Sequence, residues 1–241
     1  MYRVSYDFHL HSCLSPCGDD DMTPGNIVGM ASLIGLDAIA LTDHNSCKNC
    51  PAFMDFAHQA GLLAIPGMEL TTSEEVHVVC LFPTLEQAMA FDAYVEAHIM
   101  PFPNRPEYFG NQIIVDNCDE PLDTVDTLLI SATDISFDDV YDLVHRYGGI
   151  MLPAHLDKSS TSLLSNLGFI PPNSRFNAAE VKDISHIEEL KKQYSYLEHC
   201  HFLCNSDAHS LSDIHEAIHI LHVEEKSVAG ILKAIDKKHT L

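Results

Sequence analysis

Basic residues are scarce in this sequence. Lys and Arg number 13 among 241 residues, against 35 Asp and Glu, which gives a formal net charge of −22. A surface with that charge repels a polyanionic backbone over most of its area. We therefore expect no duplex nucleic acid as a partner. A small phosphorylated substrate is compatible with this charge, because bound divalent cations reverse the local field.

Long apolar runs and linker-like segments are also missing. No apolar stretch approaches the roughly 18 residues that a membrane span needs, and Gly and Pro are spread along the chain. The length allows one sizeable core, so we expect one domain over residues 1–241 and no membrane partner. No cleavable signal peptide fits before Asp7 and His9, which predicts a cytoplasmic protein. The oligomeric state cannot be inferred from the sequence.

The apolar pattern predicts an α/β fold. Short apolar strands alternate with helical stretches, which is typical of βα units and gives a barrel-like number of strands. The predicted strands are 4–8, 37–41, 62–65, 77–82, 149–152, 178–181, 201–204 and 218–222. Residues 100–133 interrupt this rhythm: Pro101, Pro103 and Pro106 come first, followed by two β-rich pieces, 112–115 and 127–131. We expect this insertion to form a hairpin over one end of the barrel.

Histidine is abundant, with 16 residues, and it is the commonest metal ligand in proteins. Five predicted strands are followed at once by ligand-type side chains. These are Asp7, His9 and His11, then Asp43 and His44, then Glu69, then His155, and finally Asp207 and His209. Because the carboxyl ends of parallel strands lie on one face of a barrel, we expect these side chains to converge on bound metal.

Four of these segments resemble the motifs of a known family, the PHP (polymerase and histidinol phosphatase) phosphoesterases. The segments are Asp7-Phe8-His9-Leu10-His11-Ser12, Thr42-Asp43-His44, Pro153-Ala154-His155 and Ser206-Asp207-Ala208-His209. The resemblance extends over essentially the full chain. It implies a distorted seven-stranded (β/α) barrel, two or three divalent metal ions (Zn, Mn or Fe) and hydrolysis of phosphate esters.

The resemblance also implies a division of the ligands. One ion would be bound by His9, His11, Glu69 and Asp207. Glu69 would bridge to a second ion held by His155 and His77, although His77 also begins an apolar strand and would equally be explained by packing there. A third ion would use His44, His209 and an acid after His11. Asp19 is the candidate acid, because it stands five residues before Pro24, as the corresponding residue often does in the family.

Supporting roles are predicted for the residues beside these ligands. Asp7 and Asp43 precede ligands and either orient an imidazole or cap a strand end. The leaving oxygen needs a proton, for which His209 and Asp43 are alternative donors. Lys158 lies three residues after His155 and is the first candidate for binding the substrate phosphate, ahead of Lys48 and Arg175.

Four cysteines follow the first two predicted strands: Cys13, Cys17, Cys47 and Cys50. Their C-x3-C and C-x2-C spacings are compatible with a four-thiolate zinc or iron–sulfur site, with free thiols, or with a labile disulfide. These alternatives stay open at the level of the sequence.

The expected function is hydrolysis of small phosphate esters, either monoesters or diesters and including nucleotide-derived ones, by a metal-activated hydroxide. Histidinol-phosphate phosphatase activity is an alternative on the same fold. A non-catalytic metal-binding regulatory module is an alternative from another class. A module that had abandoned catalysis would be expected to lose ligands, whereas every motif is present here, so catalysis is favoured.

Overall fold

A curled sheet forms the centre of the protein in the computed structural model, which describes residues 1–237. The strands in that range are β1 (Tyr2–Leu10), β2 (Ala38–Leu41), β3 (Leu63–Thr71), β4 (His77–Leu81), β5 (Ile113–Val115), β6 (Pro121–Thr124), β7 (Ile150–Pro153), β8 (Ala178–Val181), β9 (His201–Cys204) and β10 (Ile220–Val223). The predicted α/β class is confirmed, and strand 178–181 and strand 201–204 lie where they were predicted.

The large sheet has six strands in the order β10-β1-β2-β3-β4-β7, and β8 pairs with β9 in a separate parallel pair that contacts β7. The result is a half-barrel, and the predicted count of seven strands is not confirmed. The end of β9 approaches β1 through a loop, where the His11 N–H donates to the carbonyl of Ala208 at 3.0 Å. β9 and β1 are therefore joined by this contact and not by a regular strand pairing.

The sequence suggested a parallel sheet, but the observed sheet is mixed. β1, β2 and β3 are parallel, whereas β4 is antiparallel to both β3 and β7, and β10 is antiparallel to β1. β3 and β4 are joined as a hairpin in which Thr71 pairs with His77. The first residue of β4 therefore lies near the end of the sheet at which β3 finishes.

The described residues form eight α-helices, most of which pack against the outer face of the sheet. They are α1 (Pro24–Ile34), α2 (Cys50–Ala60), α3 (Leu85–Glu96), α4 (Pro106–Phe109), α5 (Phe137–Arg146), α6 (Leu163–Leu167), α7 (Ile187–Gln193) and α8 (Val228–Ile235). α1 begins after Thr23, whose hydroxyl accepts from the Asn26 N–H, and it ends at Gly35 with φ 87°. Glycine adopts this left-handed conformation without a steric penalty, which explains why the helix ends at this position.

The strands at the centre are buried on both faces. In β2, Ala38 and Ala40 face the inside of the barrel, whereas Ile39 and Leu41 pack against the outer helices. Burial on both faces explains why these strands read as continuous apolar runs with little alternation. The polar side chains of the site are displaced to the strand ends.

Residues 100–133 leave the barrel as predicted and contain α4 and the β5–β6 hairpin. The second strand of the hairpin is β6 at Pro121–Thr124, so the predicted piece at 127–131 was misplaced. Within 127–131, Thr127 instead forms an isolated β-bridge with Pro103. The Ile113 N–H donates to the carbonyl of Cys13 at 2.9 Å, which fixes the insertion against the loop after β1.

Within residues 1–237, no helix has the length and apolar character required to cross a membrane. The prediction of one domain over residues 1–241 stays a prediction, and residues 238–241 lie outside the described part of the chain.

Candidate metal centre

The predicted ligands meet at one end of the half-barrel. His11, His44, His155 and Asp207 follow the ends of β1, β2, β7 and β9, and Glu69 lies within β3. The backbone is left-handed at His155 (φ 30°) and Asp207 (φ 52°). Such conformations cost about 1–2 kcal/mol for a residue other than glycine, and they are found where surrounding structure holds a side chain for function.

The first group of ligand atoms comes from His9, His11, Glu69 and Asp207, all of them buried. The two Nε2 atoms of His9 and His11 lie 3.2 Å apart. Each also lies 3.2–3.4 Å from a Glu69 oxygen and from Oδ1 of Asp207. Ligands at the usual zinc distances in a tetrahedron are separated by about 3.3 Å. The spacing of these four side chains is therefore compatible with a bound divalent ion.

Glu69 connects this group to further imidazoles. Its Oε1 lies 2.9 Å from Nδ1 of His77 and 3.2 Å from Nε2 of His155. Its Oε2 lies 3.0 Å from Nδ1 of His44, but neither atom has a hydrogen-bond partner of acceptable geometry. Buried polar atoms rarely stay unpaired, and an ion between them would satisfy both. Glu69 thus contacts imidazoles on several sides, and the antiparallel β4 explains how His77 reaches it.

The charges of the centre favour a cation. Burial alone would raise the pKa of Glu69, but the imidazoles around it, His77 foremost, hold that pKa well below its ordinary value. Burial would likewise lower the pKa of His9, yet the carboxylates of Glu180 and Glu69 raise it well above its ordinary value. The carboxylates therefore require positive charge, which a divalent ion supplies more effectively than protons on the imidazoles.

A third group comprises His11, His44 and His209. The rings of His11 and His209 are stacked with centroids 4.2 Å apart. Asp19 is exposed and its carboxylate lies in none of the groups, although its N–H donates to the carbonyl of His209 at 2.9 Å. Its loop thus borders this group, and ligation by Asp19 stays a prediction.

A carboxylate that the sequence did not single out organises the first group. Glu180 is fully buried in β8, and both its oxygens lie 3.0 Å from Nδ1 of His9. It also accepts from Asn205 Nδ2 at 2.7 Å and from the His155 N–H at 3.1 Å. This carboxylate fixes the proton of His9 on Nδ1 and leaves Nε2 free to bind metal. Its signal in the sequence was an acidic residue within a buried apolar strand.

Asp7 and Asp43 have different hydrogen-bond partners, and each matches one of the two roles expected for them. Asp7 accepts from the backbone N–H groups of Ser206 (3.1 Å) and His9 (3.4 Å), which is the strand-end capping alternative. Asp43 accepts from the N–H and hydroxyl of Ser12, both at 2.6 Å, and from the hydroxyl of Ser15 at 2.7 Å. The Ser15 hydroxyl in turn lies 3.0 Å from Nδ1 of His11. Asp43 thus supports His11 through one intervening hydroxyl.

Proton donation to the leaving oxygen by His209 or Asp43 stays a prediction. Burial and the neighbouring His11 lower the pKa of His209 to about 4, so its imidazole is neutral near pH 7. A neutral imidazole suits a metal ligand. Burial raises the pKa of Asp43, whose oxygens are occupied by Ser12 and Ser15.

Two lysines lie beside Asp207. Nζ of Lys158 is 3.0 Å from Oδ2 of Asp207, and Nζ of Lys182, which the sequence did not single out, is 3.8 Å from the same oxygen. Lys182 also contacts the carbonyl of Ser206. The other two candidates are engaged elsewhere: Lys48 pairs with Asp92 and Glu96 of α3, and Arg175 with Asp142 of α5.

The four cysteines do not gather into a metal site. Cys13, Cys47 and Cys50 are buried, Cys17 is exposed, and all four are free thiols. The thiols of Cys47 and Cys50 approach the carbonyl of Gly67 at 3.1 and 3.6 Å, which are contacts of packed structural cysteines. Among the described residues, no group of ligand atoms includes any of the four.

Comparison with known proteins gives one family and several relatives. The model of the PHP domain family matches residues 7–166, which is more than half of the chain. The 5′-3′ exoribonuclease Rnm of Salmonella typhimurium is 34% identical over 85 residues, corresponding to 33% of this chain and 28% of that protein. The chain thus aligns with little more than a quarter of that relative.

Solved structures share the fold. The lesion-specific endonuclease Q of Pyrococcus furiosus superimposes with a TM-score of 0.68 and 20% identity, over 98% of this chain and 56% of that one. Endonuclease Q in complex with a 27-mer duplex substrate gives a TM-score of 0.64 and 19% identity, over 97% and 56%. A protein of Bifidobacterium adolescentis described as a metal-dependent phosphoesterase gives 0.59 and 17%, over 85% and 87%.

These relatives contradict the expected partners. The sequence favoured a small phosphorylated substrate and excluded duplex nucleic acid, whereas one relative is an exoribonuclease and another, an endonuclease, is seen with a DNA duplex at its active site. The expectation was wrong because the net charge is a sum over the whole surface. The field at the site is set by the local groups and by the cations bound there.

Proposed function

The chain belongs to the PHP domain family and is a metal-dependent hydrolase of phosphoester bonds, and from this premise we propose that it is a nuclease that cleaves phosphodiester bonds in nucleic acid. The observation that carries the proposal is the position of Glu69. Oε1 of Glu69 lies near His9, His77 and His155, and its Oε2 lies near His11 and His44, so this one carboxylate contacts imidazoles of every proposed ion site.

The metal centre supplies the reactive chemistry. Divalent ions at a shared carboxylate lower the pKa of a bound water and neutralise the charge on the phosphoryl oxygens. The protein's residues would hold these ions: His9, His11 and Asp207 with Glu69 for one, and His77 and His155 with Glu69 for the other. The metal identity and the number of ions belong to this proposal, for which we favour two ions at Glu69 and a third beside His209.

Lys158 and Lys182 are suited to binding the phosphate of the scissile bond. Both ammonium groups lie within 4 Å of Asp207, and their side chains are 40% and 35% exposed. A lysine acts as a point charge without a fixed fork of donors, so this pair would accept a phosphodiester without selecting a particular base. Two cations at the metal centre also offset part of the net negative charge where the backbone would approach.

The insertion offers a surface for the bases. Phe102, Tyr108 and Phe109 are 60%, 74% and 41% exposed. Their segment is held against the loop after β1, because Asn111 Nδ2 donates to Asp20 at 3.2 Å. Exposed aromatic rings are typical of single-strand binding, where bases stack without sequence preference. The relatives that act on nucleic acid support the same substrate class.

Cleavage of labelled oligonucleotides tests the proposal. Protein stripped of metal is mixed with Mn²⁺ and with single-stranded RNA, single-stranded DNA or duplex DNA, and the products are resolved by length. We expect metal-dependent cleavage of at least one strand type, lost in His9→Ala and Asp207→Asn and kept in Asp142→Asn, a surface carboxylate paired with Arg175. Turnover of small phosphomonoesters alone, with every oligonucleotide left intact, would overturn the nuclease proposal.

A further inference from the structure

A second cluster of ligand-type side chains lies outside the centre described above. The thiol of Cys204 and one imidazole nitrogen each from His215 and His219 lie within 4.8 Å of one another. Cys204 is the last residue of β9, and the two histidines belong to the loop between β9 and β10. None of the three contributes to the groups around Glu69.

We propose that Cys204, His215 and His219 form a separate zinc site. One thiolate and two imidazoles are a sulfur and nitrogen ligand set that suits zinc, and water would take the fourth position of the tetrahedron. Carboxylates are not part of this set, which distinguishes it chemically from the centre around Glu69.

The polar atoms of the cluster lack strong partners. Nδ1 of His215 is buried without a hydrogen-bond partner. Among residues 1–237, the one hydrogen-bond contact of the Cys204 thiol is with the carbonyl of Lys182 at 3.4 Å, which is weak. A buried imidazole nitrogen without a partner is unfavourable, and coordination to an ion would remove that cost.

The backbone holds the three ligands in place. Cys204 pairs with Val181 in the β8–β9 ladder, and the Tyr6 N–H of β1 donates to the carbonyl of His219 at 3.3 Å. The rings of His215 and His219 have centroids 5.3 Å apart. The ligands thus come from two segments that the fold has already brought together, so an ion would attach the loop before β10 to the end of β9.

Binding of an ion at this cluster would be coupled to loss of the thiol proton. Burial raises the pKa of the Cys204 thiol to about 11, with Glu180 and Asp157 acting in the same direction. The group is therefore a thiol near pH 7 in the absence of metal. On binding, the sulfur donates its electron pair to zinc and its proton leaves to solvent, so one proton is released for each ion bound.

Cobalt absorption provides a readout that the catalytic centre does not share. Co²⁺ bound by a thiolate absorbs strongly in the near ultraviolet, whereas the groups around Glu69 contain no sulfur ligand. We expect metal-free protein titrated with Co²⁺ to show this band, and Zn²⁺ to displace it. Cys204→Ser should lose the band and bind one equivalent of zinc fewer than the wild type.

Matched variants make the result specific. Cys200→Ser, at a buried cysteine just before β9, and Cys17→Ser, in the loop after β1, should both keep the band. His215→Ala and His219→Ala keep the thiol but should lose or strongly reduce the band. These two variants test metal binding at the cluster even if Cys204→Ser fails to fold. A wild type without the band, a Cys204→Ser protein with unchanged zinc content, or a band lost in Cys17→Ser would each overturn the proposal.

Discussion

Glu180 holds His9 from behind, with both carboxylate oxygens 3.0 Å from Nδ1 of the imidazole. Nε2 of the same ring faces Glu69 and Asp207 at 3.2 and 3.4 Å. The Glu180 carboxylate fixes the tautomer of the imidazole, and Glu69 and Asp207 would bind the same ion as Nε2. A residue that never touches metal thereby controls how strongly metal is bound.

Replacing Glu180 by Gln should weaken metal binding. The amide keeps the size of the side chain but removes the charge that makes the imidazole a stronger ligand, so we expect roughly a 10–100-fold loss of affinity. Titration of metal-free protein with Mn²⁺, followed by activity or calorimetry, measures the change. Glu198→Gln, at an exposed position, is the matched control and should leave the affinity unchanged. Equal affinity in both variants would refute the orienting role.

Replacing Ser15 by Ala should destabilise the loop after β1. The Ser15 hydroxyl donates to Asp43, contacts Nδ1 of His11 and accepts from the His44 N–H at 3.1 Å. Leaving such buried groups unpaired costs about 1–3 kcal/mol of the free energy of unfolding. Urea denaturation measures this loss, with Ser160→Ala on the surface as the control. A change as small as that of the control would show that Ser15 does not link Asp43 to the imidazoles.

Much of the centre was predictable, and particular residues show why. His9, His11 and Asp207 lie on parallel strands or directly after them, so alternation and strand ends predict their convergence. His77 stands at the start of its strand, and it joins the centre only because β4 runs antiparallel. That reversal depends on the tight β3–β4 hairpin, which the apolar pattern alone does not encode.

The orienting residues were harder to predict. Glu180 lies within a buried strand, and its partner His9 is 171 positions away in the sequence. Lys182 follows the same strand, and its position beside Asp207 depends on how β8 packs against β9. Long-range pairings of this kind leave no local pattern, so they emerge only from the tertiary structure.

Lys158 and Lys182 should contribute to substrate binding. Removal of a charge-assisted contact to a phosphate costs about 1.5–3 kcal/mol, so Lys158→Ala and Lys182→Ala should each lower kcat/KM roughly 10–100-fold, with most of the effect in KM. Steady-state kinetics on an oligonucleotide substrate measures this change. Lys192→Ala, on the exposed face of α7, is the control. Variants with wild-type KM would exclude a phosphate-binding role.

Asp37 should contribute a pH-dependent share of stability. Burial would raise its pKa, but hydrogen bonds from Lys226 and Ser5 hold that pKa below its ordinary value. A carboxyl with a lowered folded-state pKa stabilises the fold above its unfolded pKa of about 3.9, and this share is lost as the pH falls through the folded-state value. Because the Lys226 pair is exposed, solvent screening limits the contribution to about 0.5 kcal/mol.

Asp37→Asn should therefore unfold at lower urea concentration than the wild type at pH 7, and the difference should shrink as the pH is lowered toward 3. The metal centre is not involved, since Asp37 contacts none of its residues. A difference that stays constant over this range would show that charge on Asp37 is not the cause.

We propose that Glu69 bridges the ions with which this protein cleaves nucleic acid. The most direct measurement compares wild type and Glu69→Gln, each stripped of metal and then supplied with Mn²⁺, by bound metal per chain and by cleavage of a labelled oligonucleotide. We predict that Mn²⁺ restores cleavage to the wild type only, and that Glu69→Gln binds fewer ions and cleaves at least roughly 100-fold more slowly. Cleavage by the wild type in excess chelator would show that the reaction does not depend on metal. Wild-type metal content and cleavage rate in Glu69→Gln would show that Glu69 does not bridge the ions.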